Sequence, residues 1–484
     1  MFKERIKSAI LILLILNCLQ LTGQIWFNKK LWPSGYNFFT SVRNTRFVSA
    51  LSGYLPFVNK RDIADGTYLS TVRPSKIVVS SGNAREVYYP GEEKYNSAYL
   101  VADDILSLVS ATQPVRSAVT SVDEFYTYLQ SKSIYLSYGF GIDNDSLSEV
   151  FKKSFSSVLP GSFNVSDILV TSDSLTKEGI VCMLDANVGS VVKFWAEHKG
   201  DEITRYIDSV TYTKALNKMF AYELKLDRLL SETVNTSIKQ RSLLNSKILL
   251  AMESEQLPEI IAFNPLNWDT NRFDNIVSAL GCTPSSLRKS VSQDGVASYV
   301  ENSATIRISP LGIVEYNAVE TDKGIPLPTG FAEPYTAMTE VLNIAEGIFE
   351  VVNVEEPPDL HLVYDLKRTD EEIIIKMNYT FGGIPVISQI KEENVLNAVY
   401  ARVQNGYITS FKMLLRTFEM TENDSTLMPG INALDKLVTQ EGREGVMLEV
   451  LDVFKCYGSE DGQGMAMWGF KIKDSESVVL IPNQ

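Results

Sequence analysis

A run of residues without any charge, from 8 to 28, constrains this chain more than any other feature of its sequence. As a helix this run is about 31 Å long, which matches the hydrocarbon thickness of a bilayer. Residues 1–7 carry three bases and one acid, so the positive-inside rule places them in the cytoplasm and the rest of the chain outside. We therefore predict a single transmembrane helix at 8–28. Its membrane-anchoring residues include Leu11, Leu14, Leu16, Leu19, Ile25 and Trp26.

Two other interpretations of this segment remain open. A cleaved signal peptide has a shorter apolar run followed by a small-x-small cleavage site, and neither feature is present. A lipoprotein would be modified at Cys18, but Asn17 stands where the modification motif has Gly, Ala or Ser. We expect the segment to stay in the membrane as an uncleaved anchor.

The chain that follows the anchor is large, folded and acidic. The whole chain has 484 residues, which exceeds what one hydrophobic core supports and favours about three domains. Hydrophobic residues make up 45% and charged residues 21%, a composition that indicates packed cores rather than disorder. A net charge of −14 opposes binding to nucleic acid phosphates and favours neutral or basic protein partners.

The order of helical and strand patterns predicts an α+β fold, in which mostly antiparallel sheets carry helices packed on one face. After the anchor we assign a juxtamembrane connector to 29–45. Three domains then follow, at 46–200, 201–325 and 326–484.

Local patterns predict individual elements. The first two domains contain a strand at Lys76–Ser81, a capping box formed by Ser121 and Glu124, a polar helical section at 227–252, a helix at 271–280 and three strands within 296–317. The third contains a helix opened by Pro334, a half-buried strand at 373–381, a hairpin turn at Asn405 and Gly406, a helix at 431–438, and strands at 446–457 and 465–472.

Two strings of the form SxxK, at Ser174 with Lys177 and at Ser286 with Lys289, are typical of serine acyl enzymes of the cell wall. Such enzymes also need SDN and KTG motifs, which do not follow either string. An anchored cell-wall hydrolase or transferase is therefore an alternative function and not the preferred one.

The remaining chemistry-bearing residues stand apart from one another. Neither His198 nor His361 belongs to an HxH or HExxH motif, so the sequence predicts no metal site. Cys182, Cys282 and Cys456 are far apart, without a CxxC pair, and most are expected to be small buried apolar residues. We predict no catalytic residue and no cofactor.

Acidic residues alternate at Asp143 and Asp145, as in a calcium-binding loop. Leu147 and Ser148 then occupy positions where an EF-hand needs a ligand and a glycine. We expect instead that Asp145 or Ser146 caps the helix that follows.

Several segments resemble the YycH family, with a C-terminal region similar to YycI. These families are accessory proteins of a Gram-positive cell-wall-stress two-component system. The similar segments are RPSKIVVSSG (73–82), GVASYVENSATIRISPLGIVEYN (295–317), FGGIPV (381–386), the Asn405-Gly406 hairpin, the helix INALDKLV, and CYG (456–458) before AMWGFKI (466–472). Residues 200–290 fit the pattern poorly, and CYG stands where the family has an apolar residue, Gly and Tyr.

The resemblance implies a membrane-anchored regulator in the cell membrane, with an extracellular ectodomain of three domains. It implies two partners, a sensor histidine kinase and a YycI-like protein, and an effect on kinase activity through protein contacts. A third alternative is a sensor in which the apolar faces of curled sheets enclose a small ligand.

Overall fold

The computed structural model describes residues 72–483, with gaps. The gaps are 83, 91, 112–115, 152–154, 156–158, 161–162, 186–188, 213–218, 221–241, 245–247, 249, 252–253, 267–269, 328–333, 363–366, 369–371, 389–396, 440–447, 461 and 473–477. Contacts divide the chain into two compact units, Met1–Asp65 and Gly66–Gln484, and every described residue belongs to the second. No helix among the described residues has both the length and the apolar character to cross a bilayer. The predicted anchor and connector, at 8–28 and 29–45, lie outside the described residues.

Seven α-helices lie in the described part of the chain. They are α1 (Glu93–Ala111), α2 (Val122–Gln130), α3 (Asn144–Val150), α4 (Gly200–Ser209), α5 (Thr270–Ala279), α6 (Pro334–Val351) and α7 (Gly430–Thr439). The Ser121 hydroxyl oxygen accepts a hydrogen bond from the Glu124 N–H at 3.1 Å, which confirms the predicted cap of α2. Pro334 opens α6 as predicted, and α5 and α7 confirm the helices predicted at 271–280 and 431–438.

The cap of α3 is Asp143, so the prediction that Asp145 or Ser146 caps this helix is wrong. The Asp143 carboxylate accepts hydrogen bonds from the Ser146 N–H at 3.0 Å and from the Ser146 hydroxyl at 2.7 Å. The helix begins at Asn144, directly after the strand that ends at Asp143. The chain changes from strand to helix without a loop, and the last strand residue therefore takes the capping position.

The first sheet is antiparallel and has seven strands. They are β1 (Lys76–Ser81), β2 (Arg85–Tyr88), β3 (Ser117–Thr120), β4 (Lys132–Asp143), β5 (Asn164–Ser172), β6 (Gly179–Asp185) and β7 (Val191–Ala196). Their order in the sheet is β2-β1-β4-β5-β6-β7-β3, which makes β2 and β3 its edges. β1 confirms the strand predicted at Lys76–Ser81.

Helices cover both faces of the first sheet, which differs from the prediction of helices on one face. On one face Phe125 and Leu129 of α2 pack with Tyr135 and Cys182. On the other face the core includes α1 and α4 residues such as Ala98, together with the alternate strand residues. The physical reason lies in β6, where every residue is buried. A strand that is apolar on both sides needs a cover on both sides.

The second sheet joins seventeen strands. They are β9 (Ser242–Leu244), β11 (Glu255–Phe263), β12 (Arg288–Val291), β13 (Ala297–Val300), β14 (Ala304–Ile308), β15 (Ile313–Ala318), β16 (Ile325–Pro326), β17 (Asp359–Leu362), β18 (Lys367–Arg368), β19 (Glu372–Phe381), β20 (Ile384–Ser388), β21 (Val399–Gln404), β22 (Tyr407–Leu414), β23 (Thr417–Leu427), β24 (Leu448–Glu460), β25 (Gln463–Ile472) and β26 (Val479–Ile481). A separate pair consists of β8 (Met219–Phe220) and β10 (Leu250–Ala251). The second sheet takes strands from both 201–325 and 326–484, and the boundary between those two domains stays a prediction.

Part of the second sheet is a regular antiparallel array that we call the meander. Its strands pair in the order β12-β13-β14-β15-β22-β21-β19. From β13 to β19 the register sets one residue of each strand into a buried row. The row consists of Tyr299, Ile306, Tyr316, Phe411, Ala401 and Ile375, each no more than 2% exposed. Helix α6 packs on β19 and β21 and also on α5. The meander confirms the three strands predicted within 296–317, the strand at 373–381 and the hairpin at Asn405 and Gly406.

The rest of the second sheet is built by pairings between strands distant in sequence. β20 runs parallel to β24, β24 pairs with β25, and β25 pairs with β26 and β11. The strands predicted at 446–457 and 465–472 are confirmed as β24 and β25. The helical section predicted at 227–252 is wrong at Ser242–Leu244 and Leu250–Ala251, which are strands, and 221–241 lies outside the described residues. Pairing of β9 with β24 overrides the local helical preference there.

Two lysines connect the first sheet to the second. The Lys76 ammonium, only 2% exposed, lies 2.6 Å from the Asp452 carboxylate and also donates to the Val453 carbonyl at 3.1 Å. In the opposite direction, the Lys471 ammonium donates to the Gly139 carbonyl at 3.0 Å. A buried ammonium is stable only with such partners, so these contacts fix the relative position of the two sheets.

Candidate functional site

The residues of one SxxK string have other bonding partners. The Ser286 hydroxyl donates to the Thr283 carbonyl at 2.8 Å, and the Lys289 ammonium lies 2.9 Å from the Asp274 carboxylate and over the Tyr299 ring. Burial lowers the pKa of Lys289, but its hydrogen bonds with Tyr299 and Asp274 outweigh burial and raise that pKa overall. A lysine that acts as a general base needs a lowered pKa. The surroundings of Lys289 therefore favour a structural ion pair.

The other SxxK string lies in an exposed turn. The Lys177 ammonium is 3.4 Å from the Asp201 carboxylate, and both side chains are largely exposed. The Lys177 backbone is left-handed, with φ of 58°. Ser174 is exposed in the same turn. An exposed ion pair of this kind contributes little to stability and provides no dry pocket for acyl transfer.

The two histidines lie in different surroundings. His198 is exposed in the turn before α4, whereas His361 is 6% exposed on β17, with the centre of its ring 6.1 Å from that of Phe140 in an edge-to-face arrangement. Within the described ranges, His, Cys, Asp and Glu side chains form no group of three that could hold a metal ion.

Two of the three cysteines in the described residues are buried. Burial raises the pKa of Cys182 to about 12 and also raises the pKa of Cys456. Cys282 is half-buried, and burial raises its pKa as well. The prediction that most cysteines are small buried residues is confirmed for Cys182 and Cys456, while Cys18 lies outside the described residues.

The most distinctive surface of the first sheet is a group of aromatic and basic side chains that we call the Trp195 cluster. It consists of Arg116, Glu124, Tyr128, Lys193 and Trp195. The Arg116 guanidinium lies 4.5 Å from the Trp195 ring centre, and the Lys193 ammonium lies 5.0 Å from the same ring and 5.3 Å from the Tyr128 ring. These are cation–π distances. Trp195 is half-buried, so part of its ring stays available at the surface.

Glu124 provides the charge that balances Lys193 in this cluster. Its carboxylate is 2.7 Å from the Lys193 ammonium and also accepts hydrogen bonds from Thr120 and Tyr128. The hydrogen bonds from Lys193, Thr120 and Tyr128 lower the pKa of Glu124 to about 2. The sequence predicted that Glu124 belongs to a capping box, but this carboxylate bonds to neighbouring side chains, which fix the cluster in place.

An exposed edge strand lies beside the Trp195 cluster. In the described structure β3 pairs with β7 alone, and Val119 at its centre is 75% exposed. Natural edge strands are usually protected by charged residues or proline. The four residues of β3, SAVT, contain neither. By contrast β12, the end strand of the meander, carries Arg288 and Lys289.

A second candidate surface is the outer face of the meander. Its side chains are half-buried or exposed and form rows across the strands. One row contains Ser298, Arg307, Glu315, Lys412, Tyr400 and Lys376, and the next contains Val300, Thr305, Asn317, Ser410, Arg402 and Ile374. Glu315 lies 2.7 Å from the Lys412 ammonium and 3.7 Å from the Arg307 guanidinium.

This outer face contains a cavity of about 320 Å³, which we call the polar groove. It is lined by 317–321 at the end of β15 and beyond, by Tyr400, Arg402 and Gln404 of β21, and by Thr409 and Ser410 of β22. The ligand-sensor alternative expected an apolar enclosure between curled sheets. The polar groove instead lies on the outward face and has a mostly polar lining.

Neither surface was predicted from the sequence, although the outer face of the meander left a signal there. Tyr400, Arg402 and Gln404 alternate with the buried residues of β21, and this period of two already places them together on the outer face. Nothing comparable marks the Trp195 cluster, because Arg116, Glu124 and Lys193 come from separate elements that only the folded sheet brings together.

The arrangement of the sheets and helices first defines the fold class of the protein. The described residues form an α+β protein with two mostly antiparallel sheets, joined through buried lysine contacts and covered by helices. No protein-family model matches the chain, and no curated protein matches it.

A particular solved structure shares this architecture, that of YycH from Bacillus subtilis. The match has a TM-score of 0.55 and 13% sequence identity, and it covers 86% of this chain and 96% of that one. The chain therefore has a YycH-like fold, and the likeness in fold that the sequence segments implied is confirmed.

Proposed function

We propose that this protein is a membrane-anchored regulator that modulates a sensor histidine kinase of a cell-wall-related two-component system through protein contacts. The observation that carries the proposal is the YycH-like fold, which extends over 86% of the chain. A fold shared over nearly the whole length is consistent with a shared mode of action. One fold can host many functions, so the proposal needs a direct test.

Two features of the sequence agree with this role. The segments that resemble the YycH and YycI families are spread along most of the chain, so the resemblance does not depend on one short motif. The basic residues before the uncharged run at 8–28 favour an anchor with the folded part outside the cell. In this proposal the anchor brings the folded part close to the kinase in the same membrane.

We further propose that the protein acts by binding and not by catalysis. The lysines of both SxxK strings are ion-paired, to Asp201 and to Asp274. In the described residues the serines of these strings are exposed, at Ser174 and Ser286, outside any enclosed cavity that would exclude water. These surroundings give the serine acyl-enzyme alternative no support.

The Trp195 cluster and the neighbouring strand β3 are the surface best suited to a partner. Binding energy in protein interfaces concentrates in Trp, Tyr and Arg side chains, and Trp195, Tyr128 and Arg116 lie together here. An exposed edge strand without charge or proline can pair with a strand of another protein. Together they provide backbone hydrogen bonds and side-chain contacts within one continuous surface.

Affinity purification of the tagged full chain from detergent-solubilised membranes tests the proposal. We expect mass spectrometry to identify a sensor histidine kinase and a YycI-like protein in the eluate. A tagged, unrelated single-pass protein purified in parallel removes partners that bind any membrane helix. Recovery of neither protein above this control would contradict the regulatory role.

A further inference from the structure

The polar groove is shaped by an irregularity in the hairpin that forms it. Between β21 and β22 the register shifts, so Arg402 faces Ser410 while Val403 faces Ile408. Thr409 is the extra residue of this β-bulge. A bulge turns side chains away from their regular alternation, and here the adjacent residues Thr409 and Ser410 both line the groove.

Hydrogen bonds hold the hydroxyl groups of the bulge in place. The Thr409 hydroxyl lies 3.3 Å from the Arg402 carbonyl and 3.2 Å from the Gln404 side-chain oxygen. The Ser410 hydroxyl donates to the Asn317 side-chain oxygen at 2.9 Å. These bonds orient the groups before any ligand arrives, and orientation in advance lowers the entropy cost of binding.

The groove has no excess of positive charge, because its lining contains Glu320 and its one arginine, Arg402, has an acidic partner. The Arg402 guanidinium lies 3.6 Å from the Glu372 carboxylate, which also accepts a hydrogen bond from the Gln404 amide at 3.5 Å. A site selective for anions presents excess positive charge, as arginine clusters do for phosphate. The pairing of Arg402 with Glu372 removes that excess and Glu320 adds a negative charge, so the groove disfavours an anion and admits a neutral ligand.

Several polar groups at the groove are left for a ligand. Within the described part of the chain, the Tyr400 hydroxyl and the Asn317 amide nitrogen have no hydrogen-bond partner, and Glu372 contacts Arg402 through Nε. The Arg402 side chain is 44% exposed, so its guanidinium can donate to another acceptor as well. Tyr400 is half-buried and adds an aromatic ring to the wall.

We propose that the polar groove binds a short uncharged saccharide. A sugar presents many hydroxyl groups that donate and accept hydrogen bonds, and these complement the amide, hydroxyl and guanidinium groups of Asn317, Thr409 and Arg402. The apolar C–H side of the sugar can pack on Tyr400. The volume of about 320 Å³ is at the lower end of small-molecule sites, which suits a short ligand. This inference is independent of the proposed regulatory role.

Saturation-transfer NMR with the full chain in a zwitterionic detergent tests the proposal, because detergents with sugar head groups would occupy the groove. The probes are tri-N-acetylchitotriose and maltotriose at millimolar concentrations, with inorganic phosphate as the competitor. We expect saturation of protein signals to transfer to the ring protons of at least one sugar. Absence of transfer to both sugars would overturn the proposal.

Two arginines of the same face provide a matched comparison. Arg402 and Arg307 are each exposed and each paired with a glutamate, but only Arg402 lines the groove. We expect R402A to weaken sugar binding about tenfold, the loss that a hydrogen bond from a charged group implies. R307A should leave the affinity unchanged.

A second variant covers the case in which R402A does not fold. Asn317 is exposed at the rim of the groove, so Asn317→Ala should fold and should also weaken sugar binding. Equal losses in R402A and R307A would contradict a site in the groove. Phosphate that displaces the sugar from the wild-type protein, with no such effect in R402A, would show an anion site and overturn the proposal of a neutral ligand.

Discussion

Lys76 is the residue whose surroundings most strongly tie the two sheets together. Its side chain is 2% exposed and that of its partner Asp452 is 15% exposed. An ion pair at this depth loses the hydration of both charges and gains their attraction in return. Removal of one partner leaves the other charge buried without compensation. A substitution of either residue is therefore expected to lower the stability of the folded protein.

We expect Asp452→Asn to lower the free energy of unfolding by about 3–5 kcal/mol, the cost of breaking a buried ion pair. Urea denaturation followed by circular dichroism measures it. The control is Asp208→Asn, because Asp208 pairs with Lys132 at the same distance of 2.6 Å but both side chains are exposed. That change should cost less than about 1 kcal/mol. Equal losses for the two variants would contradict the importance of burial at Asp452.

The lowered pKa of Glu124 leads us to expect that the stability of the protein depends on pH. Its pKa is lowered from 4.5 to about 2 in the folded protein, so the folded state favours the ionised carboxylate. The stabilisation is complete above about pH 5 and is lost as the pH falls through the folded value near 2. Because the side chain is 37% exposed, solvent screening limits the contribution to about 1 kcal/mol.

Glu124→Gln should therefore lower the urea midpoint at pH 7, and the difference from wild type should shrink as the pH falls from about 5 towards 2. Denaturation curves of both proteins at several pH values measure the difference. A gap between the two proteins that stays constant over this range would show that the carboxylate charge is not responsible.

At the scale of single elements, the turn between β19 and β20 offers a comparison of neighbouring glycines. Gly382 and Gly383 both have positive φ, at 56° and 82°. A Cβ atom at Gly382 would have no neighbour within 4 Å, whereas at Gly383 it would overlap the backbone of Pro90, which lies in the turn after β2. The two positions therefore share the backbone strain of a non-glycine residue and differ in the space around them.

We expect Gly382→Ala to cost about 1–2 kcal/mol of unfolding free energy from backbone strain. Gly383→Ala should cost about 1–3 kcal/mol more, because Pro90 has to move. Thermal unfolding of the two variants measures the difference. If the two variants unfold at the same temperature, the turn at Gly383 does not lie against Pro90.

Elements set by nearby residues were predictable from the sequence. The hairpin turn at Asn405 and Gly406 was expected because both positions need positive φ, and the observed angles are 50° and 80°. Pro334 marked the start of α6, and regular alternation marked β19. In each case the signal and the structure it determines lie within a few residues of each other.

Elements that depend on distant partners were not predictable. β11 pairs with β23 across more than 150 positions of the chain, from Glu255 with Leu427 to Phe263 with Thr417. The parallel pairing of β20 with β24 is likewise invisible in the local pattern. The candidate surfaces share this limit. The groove between β15, β21 and β22 can be recognised only once the register of the three strands is known.

At the scale of the whole molecule, the proposed anchor determines where the folded part acts. A charge in the centre of a transmembrane helix costs about 3 kcal/mol of insertion free energy. We therefore expect Leu14→Arg to reduce the share of the chain in the membrane fraction after cell lysis and alkaline washing. Leu175→Arg is the control, since Leu175 is 92% exposed and tolerates a charge. Equal membrane fractions for both variants would contradict the anchor.

We propose that this protein regulates a kinase through contacts made at the edge of its first sheet. Site-specific photo-crosslinking in living cells tests it most directly, with a benzophenone amino acid in place of Val119 on β3 or of Val291 on β12. Both valines are exposed, at 75% and 52%, so the probe is accessible at either position. We expect a crosslink to a sensor histidine kinase or a YycI-like protein from position 119 and none from 291. No crosslink to either protein from position 119, or equal crosslinks from both positions, would contradict it.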